Sequence, residues 1–342
     1  MWGGPIRGSA IAALMTVAAV AGPAVAGAVH AKGHRPAPKT GPRGPRGRRG
    51  ATGPTGTAGI SGPVGPAGAS FLRTIVVSPS GASPAADGAV LGAAVASIGQ
   101  ASATNPWLVW VEPGVYDLGT AALSLPPHVD LQGSGQDVTT IRGAGPHLLA
   151  AGSGSEIRSL TVVDAANGAS ALAIDTHGGL HDVSVSATAL TAATAVLADA
   201  PAAALIDVTA LATTTDVASV AVAIDARDGA ARLDGGSYTA TDSFSSGEAV
   251  ALLAEAGASL NDVTLAASGG SAAFPADLVG SGVVVTVQDS TLSGTGGFAV
   301  AAGDTLDVGG SGVPGIVTNV FGTANCPDDW LPSYAMASSN CG

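Results

Sequence analysis

The chain has 342 residues, with 25 Asp and Glu against 13 Lys and Arg, a formal net charge of −12, and only 4% aromatic residues. Nine of the 13 Lys and Arg lie at or before Arg73, and no Asp or Glu occurs before Asp87. A body this acidic will not bind nucleic acid through its phosphates, so any polyanion must be bound by the basic N-terminal part.

Residues 1–26 have the pattern of a secretory signal peptide. Arg7 supplies the positive start, an apolar stretch covers residues 10–21, and an A-x-A site predicts cleavage between Ala26 and Gly27. A retained membrane anchor is the alternative, but the apolar stretch is shorter than the roughly 20 residues that a spanning helix needs. We therefore expect a secreted, extracellular or cell-surface protein without a membrane span in the mature chain.

Residues 27–40 are a basic linker, and residues 41–70 carry glycine at every third position through ten consecutive triplets. A collagen triple helix needs this period, because only hydrogen fits at the axis where three strands meet. Proline in five of the ten second positions presets the extended backbone of each strand. A disordered Gly/Pro linker is the alternative. The repeat predicts a collagen-like triple-helical stalk and hence a homotrimer.

Four arginines lie within the first three triplets of this repeat: Arg43, Arg46, Arg48 and Arg49. Three strands would bring about twelve guanidinium groups into one collar. Such a collar predicts binding of an anionic polysaccharide or matrix ligand through charge. The alternative is that these arginines only stabilise the triple helix and keep it soluble.

Residues 71–324 are rich in Ala, Val, Gly, Thr and Ser and carry an internal repeat. A six-residue strip with an apolar first residue and Ser or Thr in fifth place recurs, beginning at Ile157, Leu180, Leu205, Leu233, Leu260 and Val287. Short strands and turns at this period predict a parallel β-solenoid. In the second strip, alternation turns Val183 and Val185 inward and Ser184 outward, and places Asp182 on a bend. Strips ending in an acid precede several copies, at Asp175, Asp199, Asp225 and Glu255.

The residues before these repeats carry a recognisable order. An apolar strip from Asp87 to Ala101 is followed by a strand, Pro-Gly-x-Tyr, a further strand and a Gly-x-Gly turn, through Gly143. This order resembles the first coils of the pectin-lyase-like superfamily, especially its pectin methylesterase-like branch, in which an amphipathic helix caps the first coil. The resemblance implies an all-β, right-handed parallel β-helix over roughly residues 71–310. It implies little about function, because the matching residues are scaffold.

The catalytic pattern of the resembled family is not visible along the chain. Pectin methylesterases use two carboxylates, an arginine and flanking glutamines on consecutive coils. Here Gln132 and Gln136 are expected in a turn and Arg227 and Arg232 in a loop, and no lysine follows Lys39 to serve as a lyase-type base. These observations favour a non-catalytic head that needs no cofactor.

The stalk and head together resemble bacterial collagen-like surface proteins, so we expect a structural or adhesive function. A polysaccharide-active enzyme, pectinesterase-like or lyase-like, is the alternative. Clustering of acid, base and arginine across coils on one face of the β-helix would distinguish it. A phage tail-fibre-like module is a third candidate, which the signal peptide disfavours.

One stretch of the head concentrates groups that bind metals or transfer protons: Asp175, His177, His181 and Asp182. The plainer interpretation is a Gly-Gly turn with a solvated polar rim, so these four are weak metal candidates and we expect no metal site. The bend aspartates of adjacent coils, Asp182 with Asp207 and Asp262 with Asp289, are a calcium candidate. Solvated, turn-capping carboxylates are favoured over a bound Ca²⁺ there.

The tail, residues 325–342, contains both cysteines, Cys326 and Cys341. In an exported chain this spacing predicts a disulfide that closes the tail. A metal-binding pair is the weaker alternative, since no histidine follows His181 to complete a site.

Overall fold

The computed structural model describes residues 73–200, 203–229, 231–311 and 323–325. The predicted signal peptide, linker, collagen-like stalk and cysteine-closed tail lie outside these residues and remain predictions, as do secretion and the homotrimer. In the part of the chain that is described, no helix is long and apolar enough to cross a membrane.

The described residues form one helix and a long series of strands. The helix, α1, covers Pro84–Ala96. The strands are β1 Arg73–Val77, β2 Trp107–Val111, β3 Gly114–Asp117, β4 Leu123–Leu125, β5 Val129–Gln132, β6 Thr139–Gly143, β7 Leu149–Ala151, β8 Glu156–Ala165, β9 Ser170–Thr176, β10 Gly179–Ala189, β11 Ala192–Ala198, β12 Ala204–Ile206, β13 Thr209–Thr214, β14 Val220–Ala226, β15 Ala231–Asp234, β16 Ser237–Asp242, β17 Glu248–Ala254, β18 Ala258–Asn261, β19 Thr264–Gly269, β20 Ala272–Leu278, β21 Val284–Gln288, β22 Thr291–Ser293, β23 Phe298–Val300, β24 Thr305–Gly309 and β25 Thr323–Asn325.

These strands stack into three columns in which each strand pairs in parallel with its counterpart one coil away. The first column contains β1, β2, β5, β12, β15, β18, β21, β24 and β25, and the second contains β3, β6, β13, β16, β19 and β22. β8 and β10 are long enough to run through both. The third column is a separate eight-stranded sheet, which gives about eight coils. The prediction of a right-handed parallel β-helix is confirmed for these residues.

The predicted repeat corresponds to one ladder of the first column. The first residues of the six strips, from Ile157 to Val287, are in direct register from coil to coil, and all of them are buried. Val183 and Val185 are buried and Ser184 is partly exposed, as the alternation predicts. Each buried aliphatic side chain contributes roughly 1.5–3 kcal/mol to folding, so this stack is a continuous part of the core.

The bend between the first and second columns places one residue in the left-handed region, or two where Gly235 and Gly236 form it. Asp182, Asp207, Asp262 and Asp289 have φ angles of 56°, 53°, 53° and 49°, and Gly235 takes the same place with φ 71°. Asp and Gly are among the residues that adopt this conformation most readily. The predicted place of Asp182 on the bend is confirmed. Its carboxylate accepts a hydrogen bond from Gln136 Nε2 at 2.7 Å.

Helix α1 packs against the first coil, where it covers the end of the core with Leu91 and Val95. Ser83 caps its N-terminus through a bond from the amide of Ala86, and Pro84 occupies the first turn, where its missing N–H costs nothing. The predicted capping helix is therefore present, shorter than the apolar strip that indicated it.

Candidate functional site

A cavity of about 510 Å³ opens where the third column turns into the first. Its polar walls are Asp130, Glu156 and His177, and Gly and Ser residues at 153–155 and 178–179 line the space between them. A side chain at Gly178 would overlap the carbonyl oxygen of Ser155, so the cavity depends on glycine there. Its volume is typical of small-ligand sites.

Two carboxylates and an arginine meet at this cavity from successive coils. Gln132 on β5 is in register with Arg158 on β8. Asp130 and Glu156 each precede these residues by two positions. Because side chains alternate along a strand, both acids lie on the same outer face. Arg158 Nη2 forms an ion pair with Asp130 Oδ2 and lies 3.4 Å from Glu156 Oε2. The backbone N–H of Glu156 donates to Asp130 Oδ1 at 2.9 Å. Both carboxylates thus contact one guanidinium nitrogen.

The two carboxylates differ in their exposure. Side-chain exposure is 13% for Asp130 and 38% for Glu156. Burial raises the pKa of Asp130, and the hydrogen bond from the Glu156 amide and the charge of Arg158 offset part of that rise. Both carboxylates are thus partly exposed, and Asp130, held by Arg158 and the Glu156 amide, is the less exposed of the two.

Sequence reasoning missed this cluster. The expectation that Gln132 lies in a turn is wrong, because Gln132 ends β5. Arg232 is likewise part of β15 and not of a loop, and it pairs with Asp234 of the same strand. The available signal was the matching order of acid, aliphatic and polar residues in 130–132 and 156–158, one coil apart, which turns both acids the same way.

The four weak metal candidates divide into two places. His177 follows β9 directly, with its Nδ1 3.7 Å from Asp175 Oδ1 and its Nε2 3.8 Å from Asp199 Oδ2. His181 is exposed on β10 beside Arg158, and Asp182 is on the bend with Gln136. The structure therefore places His181 and Asp182 away from Asp175 and His177. Asp199, from the next coil, lies beside His177 instead.

Further charged side chains lie on the coils that follow the one with Asp175 and His177. Asp225 and Asp175 share a ladder, with Leu197 between them, whereas Asp199 and Glu255 lie two positions further along the chain, just after their strands end. The four strip-ending acids therefore occupy two positions and not one.

Arg227 joins two of the acids on these coils. Its Nη2 lies 2.7 Å from Asp225 Oδ2, and its Nε lies 3.7 Å from Glu255 Oε1. Burial raises the pKa of Asp225, although Arg227 opposes that rise. Carboxylates and an arginine thus cluster across coils on this side of the solenoid.

Aromatic side chains contribute little to the described surface. Among the described Trp, Tyr and Phe residues only Phe244 is exposed, and Tyr116 and Tyr238 are fully buried. The four collar arginines and both cysteines lie outside the described residues.

Comparison with known proteins gives a likeness in fold. No protein-family model matches the chain, and no curated protein matches it. Carrot pectin methylesterase is 14% identical, with 72% of this chain and 79% of that one covered and a TM-score of 0.46. The Erwinia chrysanthemi pectin methylesterase is 10% identical, with 80% and 93% covered and a TM-score of 0.40. ORF18 of Geobacillus virus E2 is 11% identical, with 75% and 60% covered and a TM-score of 0.43.

Proposed function

We propose that the β-helix head is a polysaccharide-active hydrolase whose catalytic carboxylates are Asp130 and Glu156. The observation that supports this most directly is their contact with one nitrogen of Arg158 at the wall of a ligand-sized cavity. Cross-coil clustering of acid and arginine is the feature that favours an enzyme over an inert shaft.

The geometry suits a reaction in two steps. Hydrolysis by paired carboxylates uses one group as a proton donor and the other as a nucleophile or base. Asp130 is ion-paired with Arg158 and would act as the nucleophile, while the more exposed Glu156 would donate the proton to the leaving oxygen. Water then releases the enzyme-bound half, and Glu156 recovers its proton from that water. Closely spaced carboxylates favour this course over direct attack by a water held between them.

Arg158 is a positioning residue in this scheme. Its guanidinium holds Asp130 in place and lies near Glu156. A planar guanidinium can hold two carboxylates in a fixed relation, which the ammonium of lysine does less well. The glycines and serines of the cavity wall leave room for a sugar unit, which supports the proposed substrate class.

The proposal is tested by screening the full chain against esterified, uronic-acid and neutral polysaccharides for released acid and new reducing ends. Asp130→Asn and Glu156→Gln are expected to lower the rate at least a hundredfold, as loss of acid–base groups does. Asp228→Asn removes an exposed carboxylate elsewhere and is expected to retain the activity. Activity that survives both substitutions, or none on any substrate, would overturn the assignment.

A structural or adhesive function, with a stalk-assembled trimer and no catalysis, is the second candidate. The scarcity of exposed aromatic side chains among the described residues favours it, since sugar-binding surfaces usually offer rings for stacking. In that case the collar of Arg43, Arg46, Arg48 and Arg49 would be the binding element. Its affinity for a sulfated glycan would then fall steeply with salt.

A further inference from the structure

The three side chains that meet beside the cavity come from two adjacent coils. Asp175 is an outward residue of β9, and His177 and Asp199 are the first residues after β9 and β11. The backbone bonds from His177 N to Ala151 O and from Asp199 N to Thr176 O fix these residues one coil apart. The sheet, and not a mobile loop, therefore sets their spacing.

Hydrogen bonding does not explain this arrangement. At 3.7 Å and 3.8 Å, both nitrogens of His177 are beyond hydrogen-bond distance from the carboxylates they face. Asp175 Oδ1 is shielded from solvent and has no hydrogen-bond partner. An unsatisfied buried carboxylate oxygen is costly, so Asp175 Oδ1 beside His177 calls for a positive ligand.

The donor set fits a divalent transition metal. One donor atom from each of Asp175, His177 and Asp199 lies within 4.8 Å of the other two. Zn²⁺ binds nitrogen and oxygen at about 2.0–2.2 Å, which places tetrahedral ligand atoms about 3.3 Å apart. The two carboxylates face opposite nitrogens of His177, so side-chain rotation has to bring both of them to one nitrogen when the ion binds. Two carboxylates and a neutral imidazole carry a charge of about −2, which such an ion balances, and an imidazole selects against Ca²⁺ and Mg²⁺.

Three protein ligands leave at least one coordination position open. His177 is a wall of the cavity, so an exogenous ligand in the cavity can reach that position. Open positions distinguish catalytic or ligand-binding zinc sites from closed structural ones. We propose that Asp175, His177 and Asp199 bind one divalent transition-metal ion, with Zn²⁺ the best match, at the rim of this cavity.

The test uses the full chain, stripped with a chelator and titrated with Zn²⁺ by calorimetry. Wild type is expected to bind one more equivalent than His177→Gln, or to bind that equivalent at least tenfold more tightly. His181→Gln is the matched control, because His181 is exposed and lies outside the cluster, and it is expected to bind like wild type. Asp199→Asn should weaken binding as His177→Gln does, with circular dichroism confirming that each variant is folded.

Zn²⁺ should also raise the melting temperature of wild type but not that of His177→Gln, since it stabilises only the state that binds it. Excess Ca²⁺ should not displace it. Equal binding by wild type and His177→Gln would overturn the proposal, and so would loss of the site in His181→Gln or displacement by Ca²⁺. These measurements need no enzymatic activity, so they test the metal site independently of the proposed hydrolase.

Discussion

Asp164 lies inside the solenoid, in register with Gly143 and Ala187 of the neighbouring coils. It is 1% exposed, and neither of its carboxylate oxygens has a hydrogen-bond partner. Burial raises its pKa to about 7, although the nearby Leu172 amide lowers it somewhat. Asp164 therefore carries its proton in the folded protein well above the pH at which an unfolded chain would lose it.

This residue makes folding depend on pH. The folded pKa is raised above the ordinary 3.8, so the folded state binds more protons between about pH 4 and 7. The free energy of unfolding is expected to decrease as pH rises through this range and to level off above it. Asp164→Asn should remove this part of the dependence and add on the order of 2–4 kcal/mol at pH 8, with little change near pH 4.

Urea unfolding at pH 4 and pH 8 measures the effect. Asp137→Asn, at an exposed carboxylate, is the control and should change neither value appreciably. Part of the pH dependence should persist in Asp164→Asn, because burial also raises the pKa of Asp277, to about 6. An Asp164→Asn variant that is less stable than wild type at pH 8 would contradict the account, because it would mean that burial does not disfavour the charged carboxylate.

At the scale of the elements, the bends between the first two columns constrain their residue type. Asp262 has a φ of 53°, where a β-branched residue is strained and glycine is not. Asp262→Val is expected to lower the free energy of unfolding by about 1–3 kcal/mol, and Asp262→Gly to leave it within about 1 kcal/mol. Thermal unfolding compares the stabilities of the two variants. Equal melting temperatures would contradict this account of the bend.

The strands were predictable because their signal is local. Alternation and a bend residue fix which way Leu180 and Val183 point, and the same pattern in six coils fixes the ladder that each of them joins. The site was not predictable in this way. Asp175 and Glu255 both lie five residues before the next strip, yet they occupy different ladder positions because the turns between the third and first columns differ in length.

The acid cluster at the cavity depends on the same register. Asp130 and Glu156 become neighbours only once Leu131 is paired with Ile157, a pairing across one whole coil. Asp199 reaches His177 for a similar reason. Local sequence specified the faces of these strands, but the alignment of one coil on the next decided which charges meet.

At the scale of the whole molecule, the collagen-like repeat predicts a trimer. Gly53 lies at an obligatory glycine position, so Gly53→Ala should destabilise the triple helix. The polyproline-type circular dichroism signal should melt at a lower temperature, and sedimentation should show fewer trimers. A wild-type chain that sediments as a monomer at micromolar concentration would contradict the prediction.

The stacking of coils also makes the length of the solenoid independent of the residues that line the cavity. Every wall of the cavity lies between Asp130 and Ile206, so the coils that follow contribute no group to it. In a solenoid each coil contacts only its neighbours, and adding or removing one changes the length by about 4.8 Å without altering distant coils. Residues 235–261 begin and end at equivalent bend positions and contain one strand of each column. The number of coils after Ile206 therefore sets how far the solenoid extends beyond the cavity, without changing the cavity itself.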